Sequence, residues 1–265
     1  MIMPNHNGAR YLAKSIGAFL AQSYDNKELL IVDGKSTDGS HEIIAKFCDS
    51  SPCVRWLRYQ DKGISDAANF AIPQARGDII GYLGSDDMLL DNVLGKVAEL
   101  SAYVDFDGIF FKSFTYIVQE RRCIAQKPVT TEITTANLLR YGAIVGGQNT
   151  FYRRRVFDRV RFNVANRYSM DYELLLELAK LNAFFFYADE FGTINHIDGN
   201  ISHNNPAQVD EAAQVTLRFA EGFTGPLWCS GWLPRGIARQ FKPWNSRLVR
   251  RVRRLWRRGG NVGTH

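Results

Sequence analysis

Short apolar runs that end in glycine and acid alternate with helix-like segments over the first ninety residues, and few folds accept that rhythm. Leu29-Leu30-Ile31-Val32 meets Asp33-Gly34, and Asp78-Ile79-Ile80-Gly81-Tyr82-Leu83 stops at Gly84-Ser85-Asp86-Asp87, while Val54 to Tyr59 looks like the strand between them. Brief, continuously apolar runs are buried on both faces, as parallel strands are. Between them, Tyr11 to Gln22 carries Leu12, Ile16, Phe19 and Leu20 at helical spacing. Ser36-Thr37-Asp38-Gly39 offers N-cap chemistry before the helical pattern of Glu42 to Phe47, and Ser65 to Ala75 reads as the next helix. This β-α-β-α-β order predicts an α/β fold: a Rossmann-like, mainly parallel sheet with helices on both faces.

The second half is less regular. Phe106 to Ile124 is aromatic and β-branched and predicts a hairpin or extended strands, and Thr150-Phe151-Tyr152 is strand-like. Thr134 to Tyr141, Ser169 to Leu181 and Pro206 to Glu221 read as helices. These pieces predict an acceptor-side α+β portion behind the regular half.

Composition narrows the class. At 45% hydrophobic and 23% charged residues, the 265-residue chain is an ordinary globular one. No run approaches the ~18 apolar residues that span a bilayer, and Met1-Ile2-Met3-Pro4-Asn5 lacks the regions of a secretory signal. Cys48, Cys53, Cys123 and Cys229 form no C-x-x-C pair, which predicts a reduced, cytoplasmic setting without a zinc site. The net charge of +6 is a property of the tail, because RLVRRVRRLWRR at 247–258 holds seven arginines and no acid. Leu248, Val252, Leu255 and Trp256 give that stretch a basic amphipathic pattern, read as a peripheral contact with an anionic inner membrane surface. Nucleic-acid binding has no accompanying recognition motif, and a solvated tail is the third reading.

In open α/β sheets ligands bind beyond the carboxyl ends of the strands, so Asp33 and the Asp86–Asp87 pair belong to one crevice. Two adjacent carboxylates after an apolar strand are costly unless a cation neutralises them, and magnesium or manganese takes oxygen ligands together with substrate phosphates. Alone, the pair reads equally as a solvated turn before a helix near Asp91. Asp33 reads either as an Asx turn or as a carboxylate that takes hydrogen bonds from a ribose or base edge. No G-x-x-x-x-G-K-[ST] or G-x-G-x-x-G sequence is present, which disfavours P-loop and NAD chemistry.

Taken as a series, Met3-Pro4-Asn5-His6-Asn7-Gly8, Ile31 to Ser40, Asp61 to Asn69 and Gly77 to Asp87 resemble the family 2 glycosyltransferases of the GT-A fold in order and spacing. Gln148 to Arg154 and Ser169-Met170-Asp171-Tyr172-Glu173 resemble that family's acceptor-side motifs. The resemblance implies an inverting transferase for a nucleotide-sugar donor and a saccharide or lipid-linked acceptor, with surface polysaccharide synthesis as its setting. It implies that Pro4, Asn5, Asp33, Asp66, Ser85 and Asp86 line the donor site. Asp86 and Asp87 would hold Mn2+ or Mg2+ against the diphosphate, and Asp171 would be the catalytic base. The common Asp-Asp-Gly-Ser-Thr is Asp33-Gly34-Lys35-Ser36-Thr37 here, Ser65 stands for a tyrosine, and Asn149 for a frequent histidine. His196 and His203 flank a loop that could close over the donor, and either is a candidate further metal ligand. The expected organisation is one glycosyltransferase domain over 1–223 (a nucleotide-sugar half to 100, an acceptor half from 101) and an extension over 224–265. The competing readings are a silent sugar-nucleotide-binding protein on the same fold and a sugar-1-phosphate nucleotidyltransferase.

Overall fold

The computed structural model describes residues 1–198 and 206–221. The basic stretch at 247–258 and His203 lie outside the described residues.

Three parallel strands open the chain: β1 (Ile2–Pro4), β2 (Leu29–Val32) and β3 (Val54–Leu57), in that spatial order. All four residues of β2 are buried, because helices cover both faces. Leu29 and Ile31 face a core built with α1 (Ala9–Leu20) and α2 (Ser40–Ser50), while Leu30 and Val32 face a second core with α3 (Ile64–Ala71). On α1 the buried Leu12, Ser15, Ile16 and Phe19 repeat at three- and four-residue intervals, the period of one helical face.

The chain then passes to β4 (Ile79–Gly81), β5 (Met88–Leu89), α4 (Val93–Tyr103), the hairpin β6 (Gly108–Ile117) and β7 (Arg122–Gln126), and α5 (Thr135–Tyr141). It continues through β8 (Thr150–Arg153), α6 (Met170–Lys180), β9 (Phe185–Ile197) and α7 (Pro206–Glu221). The second sheet runs β4-β8-β6-β9-β5, with β7 paired to β6. A parallel bridge from Ile2 to Tyr82, with Leu83 N–H donating to Ile2 carbonyl at 3.0 Å, joins β1 to the strand end beyond β4. The parallel character expected from the sequence belongs to β1, β2 and β3. The second sheet is mixed, because β8 runs antiparallel to both β4 and β6 while β9 runs parallel to β6.

β9 is the element the sequence pattern did not disclose. Its thirteen residues run parallel to β6 with a register irregularity at Phe111–Ser113. Its apolar run is interrupted by the exposed Asp189 and Glu190, and Asp189 finds Lys112 on β6 at 2.9 Å. Among the described residues no helix is long and apolar enough to cross a membrane.

Candidate active site

The loops after β1 and β2 are stapled together by polar side chains. Asp33 follows β2 and is fully buried, with both oxygens engaged. Asn5 Nδ2 donates to Oδ2 at 2.6 Å, and the Lys35 and Ser36 amides each donate to Oδ1 at 3.1 Å. His41 Nε2 lies 3.2 Å from the same oxygen. Burial pushes the Asp33 carboxyl up, but hydrogen bonds from Ser36, Asn5 and His41 outweigh it and hold the group below the usual range. The Asn7 amide donates to Ser36 Oγ at 2.7 Å and the Thr37 amide to Asn7 Oδ1 at 2.9 Å. Asp33 is therefore the keystone of this wall, with three of its four partners on Oδ1 and one on Oδ2.

Gly34 stands where the resembled motif carries a second aspartate, and the backbone packing there leaves no room for a side chain. A β-carbon there would lie 2.5 Å from the Tyr59 carbonyl carbon and 2.7 Å from the Gln60 nitrogen, both backbone atoms. Lys35 then reaches across to Asp61, donating to its carbonyl at 2.6 Å and pairing with its carboxylate at 3.3 Å. Asp66, half-buried in the first turn of α3, accepts from Lys62 N–H at 2.9 Å and from the Tyr59 hydroxyl at 3.2 Å.

Asn5 connects this wall to the acidic pair. Its Oδ1 is buried with no hydrogen-bond partner, and a β-carbon on Gly8 would meet it at 2.3 Å and Ser85 Oγ at 2.7 Å. Pro4, the last residue of β1, and Ser85 therefore bracket the same turn at the start of α1, and Ser15 of α1 fixes the Ser85 carbonyl at 2.9 Å.

Asp86 and Asp87 follow the strand end at Leu83. A β-carbon on Gly84 would touch Asp87 Oδ2 at 2.6 Å and Asp86 Oδ1 at 2.8 Å, so two carboxylate oxygens converge on one small space. Burial raises the Asp86 carboxyl. Burial, then the Asp86 charge, pushes Asp87 up to about 7 against hydrogen bonds from the His196 and Gly84 backbone. Such a converging pair fits a hard divalent cation, which would remove the like-charge cost. Among the described residues no group of three or more His, Cys, Asp or Glu could hold a metal ion, so water or phosphate oxygens would have to supply the rest of the shell of a cation at this pair.

β9 brings His196 to this pair. Its backbone N–H donates to Asp87 Oδ1 at 3.0 Å, and its ring stacks on Tyr11 of α1 at 5.8 Å between centroids. The Tyr11 hydroxyl donates to Asp198 at 2.6 Å, Gln119 donates to the same carboxylate at 2.8 Å, and Arg10 pairs with it. None of Tyr11, Gln119 or Asp198 stands out in sequence, since each acts through a partner more than seventy residues away.

Asp171 lies in the first turn of α6. Gly147 N–H donates to its Oδ2 at 3.3 Å and Tyr172 N–H to its Oδ1 at 2.8 Å. Burial raises the carboxyl, opposed by those amides. Gly147 belongs to the turn before β8, and β8 pairs antiparallel with β4 so that Phe151 stands opposite Gly81. The turn therefore emerges where β4 ends, the same end of the sheet as Gly84 to Asp87. The fold thus gathers a sealed amide-and-carboxylate wall, a converging carboxylate pair and a separate half-buried carboxylate around one end of the sheet.

The sequence matches the family described as "Glycosyl transferase family 2" over residues 1–161. The UDP-Glc:alpha-D-GlcNAc-diphosphoundecaprenol beta-1,3-glucosyltransferase WfgD of Escherichia coli is 29% identical over 182 residues, covering 69% of this chain and 70% of that protein. Against three other curated glycosyltransferases, the matched part of the chain spans 25% to 39% of their length. The solved structure of S. aureus TarS 1-349 in complex with UDP-GlcNAc superposes with a TM-score of 0.71 at 18% identity, over 97% of this chain and 78% of that one. The mannosyltransferase PcManGT from Pyrobaculum calidifontis, in complex with GDP-Man and Mn2+, gives 0.61 at 15% identity, over 96% and 77%. Both likenesses show the fold.

Proposed function

The chain belongs to glycosyl transferase family 2, and on that premise we propose that it moves a sugar from a nucleoside-diphosphate donor to a saccharide or lipid-linked acceptor, with inversion at the anomeric carbon. The observation that carries this reading is the convergence of Asp86 Oδ1 and Asp87 Oδ2 over Gly84, with Asp171 held apart at the same end of the sheet. One carboxylate site for a metal and one for a proton is what single-step transfer requires.

Asp171 takes the proton from the acceptor hydroxyl as its oxygen attacks the anomeric carbon, while the bond to the diphosphate breaks. Its raised carboxyl suits a base working near neutrality better than an ordinary aspartate would. Asp86 and Asp87 would hold a Mn2+ or Mg2+ ion, which would supply positive charge to the departing diphosphate. Asn5, Pro4 and Ser85 line the donor pocket, Asp66 borders it, and Asp33 sets its shape through Asn5 and the 34–37 turn. No carboxylate nucleophile is needed, in contrast to a retaining glycosidase. WfgD carries a diphosphoundecaprenol acceptor in its name, and the arginines at 247–258 would suit an anionic membrane surface where such acceptors reside.

The direct test is release of nucleotide from UDP-glucose, UDP-GlcNAc and GDP-mannose by the full chain with Mn2+, beside the Asp171→Asn variant. Release that survives in Asp171→Asn at the wild-type rate would remove Asp171 from the chemistry.

A further inference from the structure

Residues 167–169, directly before α6, present three successive backbone amides to one side chain on α7. The Arg167 amide donates to Glu211 Oε1 at 2.7 Å, the Tyr168 amide to Oε2 at 2.6 Å, and the Ser169 amide to Oε2 at 2.9 Å. Main-chain donors outside a helix must find an acceptor or water, and a carboxylate that takes three of them fixes the backbone as well as satisfying it. Ser169 is the residue whose carbonyl starts α6, accepting from Glu173 N–H at 3.0 Å. Asp171 follows two residues later on the first turn of that helix, so displacing Ser169 carries Asp171 with it.

The grip of α7 is anchored on either side of this clamp. Ser169 Oγ donates to the Gln208 carbonyl at 3.4 Å, Thr216 Oγ1 meets the Tyr172 hydroxyl at 3.1 Å, and Arg218 pairs with Glu173. Ala213, Val215 and Phe219 are buried, so the helix is seated by apolar packing that does not depend on Glu211.

We propose that Glu211 is a positioning residue for Asp171: by collecting the amides of Arg167, Tyr168 and Ser169 it sets the start of α6 and aims the Asp171 carboxylate at the acceptor hydroxyl. This rests on the reading of Asp171 as the base. It identifies α7, beyond the part of the chain that matches the family description, as part of what makes the site competent.

Glu211→Gln keeps the length of the side chain but leaves one acceptor oxygen for the Arg167 and Tyr168 amides and the shared Ser169 amide, which also donates to Asn166 Oδ1 at 2.9 Å. A shift of Ser169 would loosen the Gly147 and Tyr172 amides from Asp171, and those amides favour its ionised form. Nucleotide release from UDP-glucose, UDP-GlcNAc and GDP-mannose with Mn2+ is measured against pH. In Glu211→Gln, kcat is expected to fall about tenfold, as a small misplacement of a reacting group does, with KM for the donor nearly unchanged. The acid limb of the profile is expected to move to higher pH, and amide exchange at 167–169 to quicken. Glu211→Asp, which keeps the charge and loses one methylene, should shift the same limb less. Arg218→Ala loosens α7 without touching the amides, and should lower Tm while leaving the limb in place. A Glu211→Gln protein with wild-type kcat and an unmoved acid limb overturns the proposal. If Asp171→Asn itself keeps full turnover, the fault lies with the base and not with its positioning.

Discussion

The backbone N–H of His196 donates to Asp87 Oδ1 at 3.0 Å across 109 residues of chain. The first half of the sequence supplies the carboxylate pair, and a strand from its far end supplies the donor that orients one of them. The carboxylate pair has this divided origin, and substitutions on either side should report on it.

Asp86→Ala and Asp87→Ala should each remove metal-dependent donor binding. Isothermal titration with UDP in the presence and absence of Mn2+ measures this directly. Wild type is expected to bind UDP at least tenfold more tightly with the cation, and each variant to lose that difference. A variant that retains the full Mn2+ dependence would exclude its aspartate from the site.

Gly84→Ala tests the convergence itself. The added β-carbon would stand 2.6 Å from Asp87 Oδ2 and 2.8 Å from Asp86 Oδ1, so the two carboxylates must part. These are side-chain ends and can move, so the protein should fold with a near-normal Tm while Mn2+-dependent UDP binding weakens. Unchanged cation dependence would mean that the two oxygens need not share that space.

Gly34→Asp, which restores the family's common residue, should be harmful here. The β-carbon would press on the backbone of Tyr59 and Gln60, and backbone atoms cannot rotate away. A loss of roughly 1–3 kcal/mol is expected, the usual range for overpacking, read as a lower midpoint in urea unfolding. A midpoint equal to wild type would show that the loop after β3 is free to shift.

Asp33→Ala leaves the Lys35 and Ser36 amides and Asn5 Nδ2 without their shared acceptor in a fully buried position. Each stranded buried donor costs about 1–3 kcal/mol, so Tm should fall by several degrees and UDP binding with it. Asn5→Ala removes one of those donors and should cost less. Equal losses from the two would place the stabilisation in Asn5 alone.

The pH dependence of turnover follows from Asp171. Burial raises its carboxyl and the Tyr172 and Gly147 amides only partly oppose this, so the base is protonated at pH values where an ordinary aspartate has ionised. The acid limb of kcat should therefore lie above the usual aspartate range of about 4. The same raised value means that this group stabilises the fold at low pH and loses that contribution as pH rises through its folded value. An acid limb near 4 would contradict the burial of the carboxyl.

The local half of the molecule is legible in the order of its residues. The buried run Leu29–Val32, the helical face of Leu12, Ile16 and Phe19, and the loops that carry Asp33 and Asp86–Asp87 all follow from periodicity and turn chemistry within a dozen residues. Those are short-range preferences of the backbone, and they are legible wherever one helix or strand decides a residue's surroundings. Asp171 was also legible, as an acid in a first helical turn within a familiar motif. Which distant residues meet is settled by packing alone. β9 breaks its apolar pattern at Asp189 because Lys112 on β6 answers that charge, and nothing near Asp189 announces the partner. Glu211 reads as one more helix acid until α7 packs across α6 and turns it toward three amides. Asp33 reads in sequence as an Asx turn or a nucleoside contact; the turn bonds to Lys35 and Ser36 are local, but the bonds from Asn5 and His41 appear only once the loops close. A carboxylate's affinity for donors is intrinsic, but which donors reach it is set by chain packing.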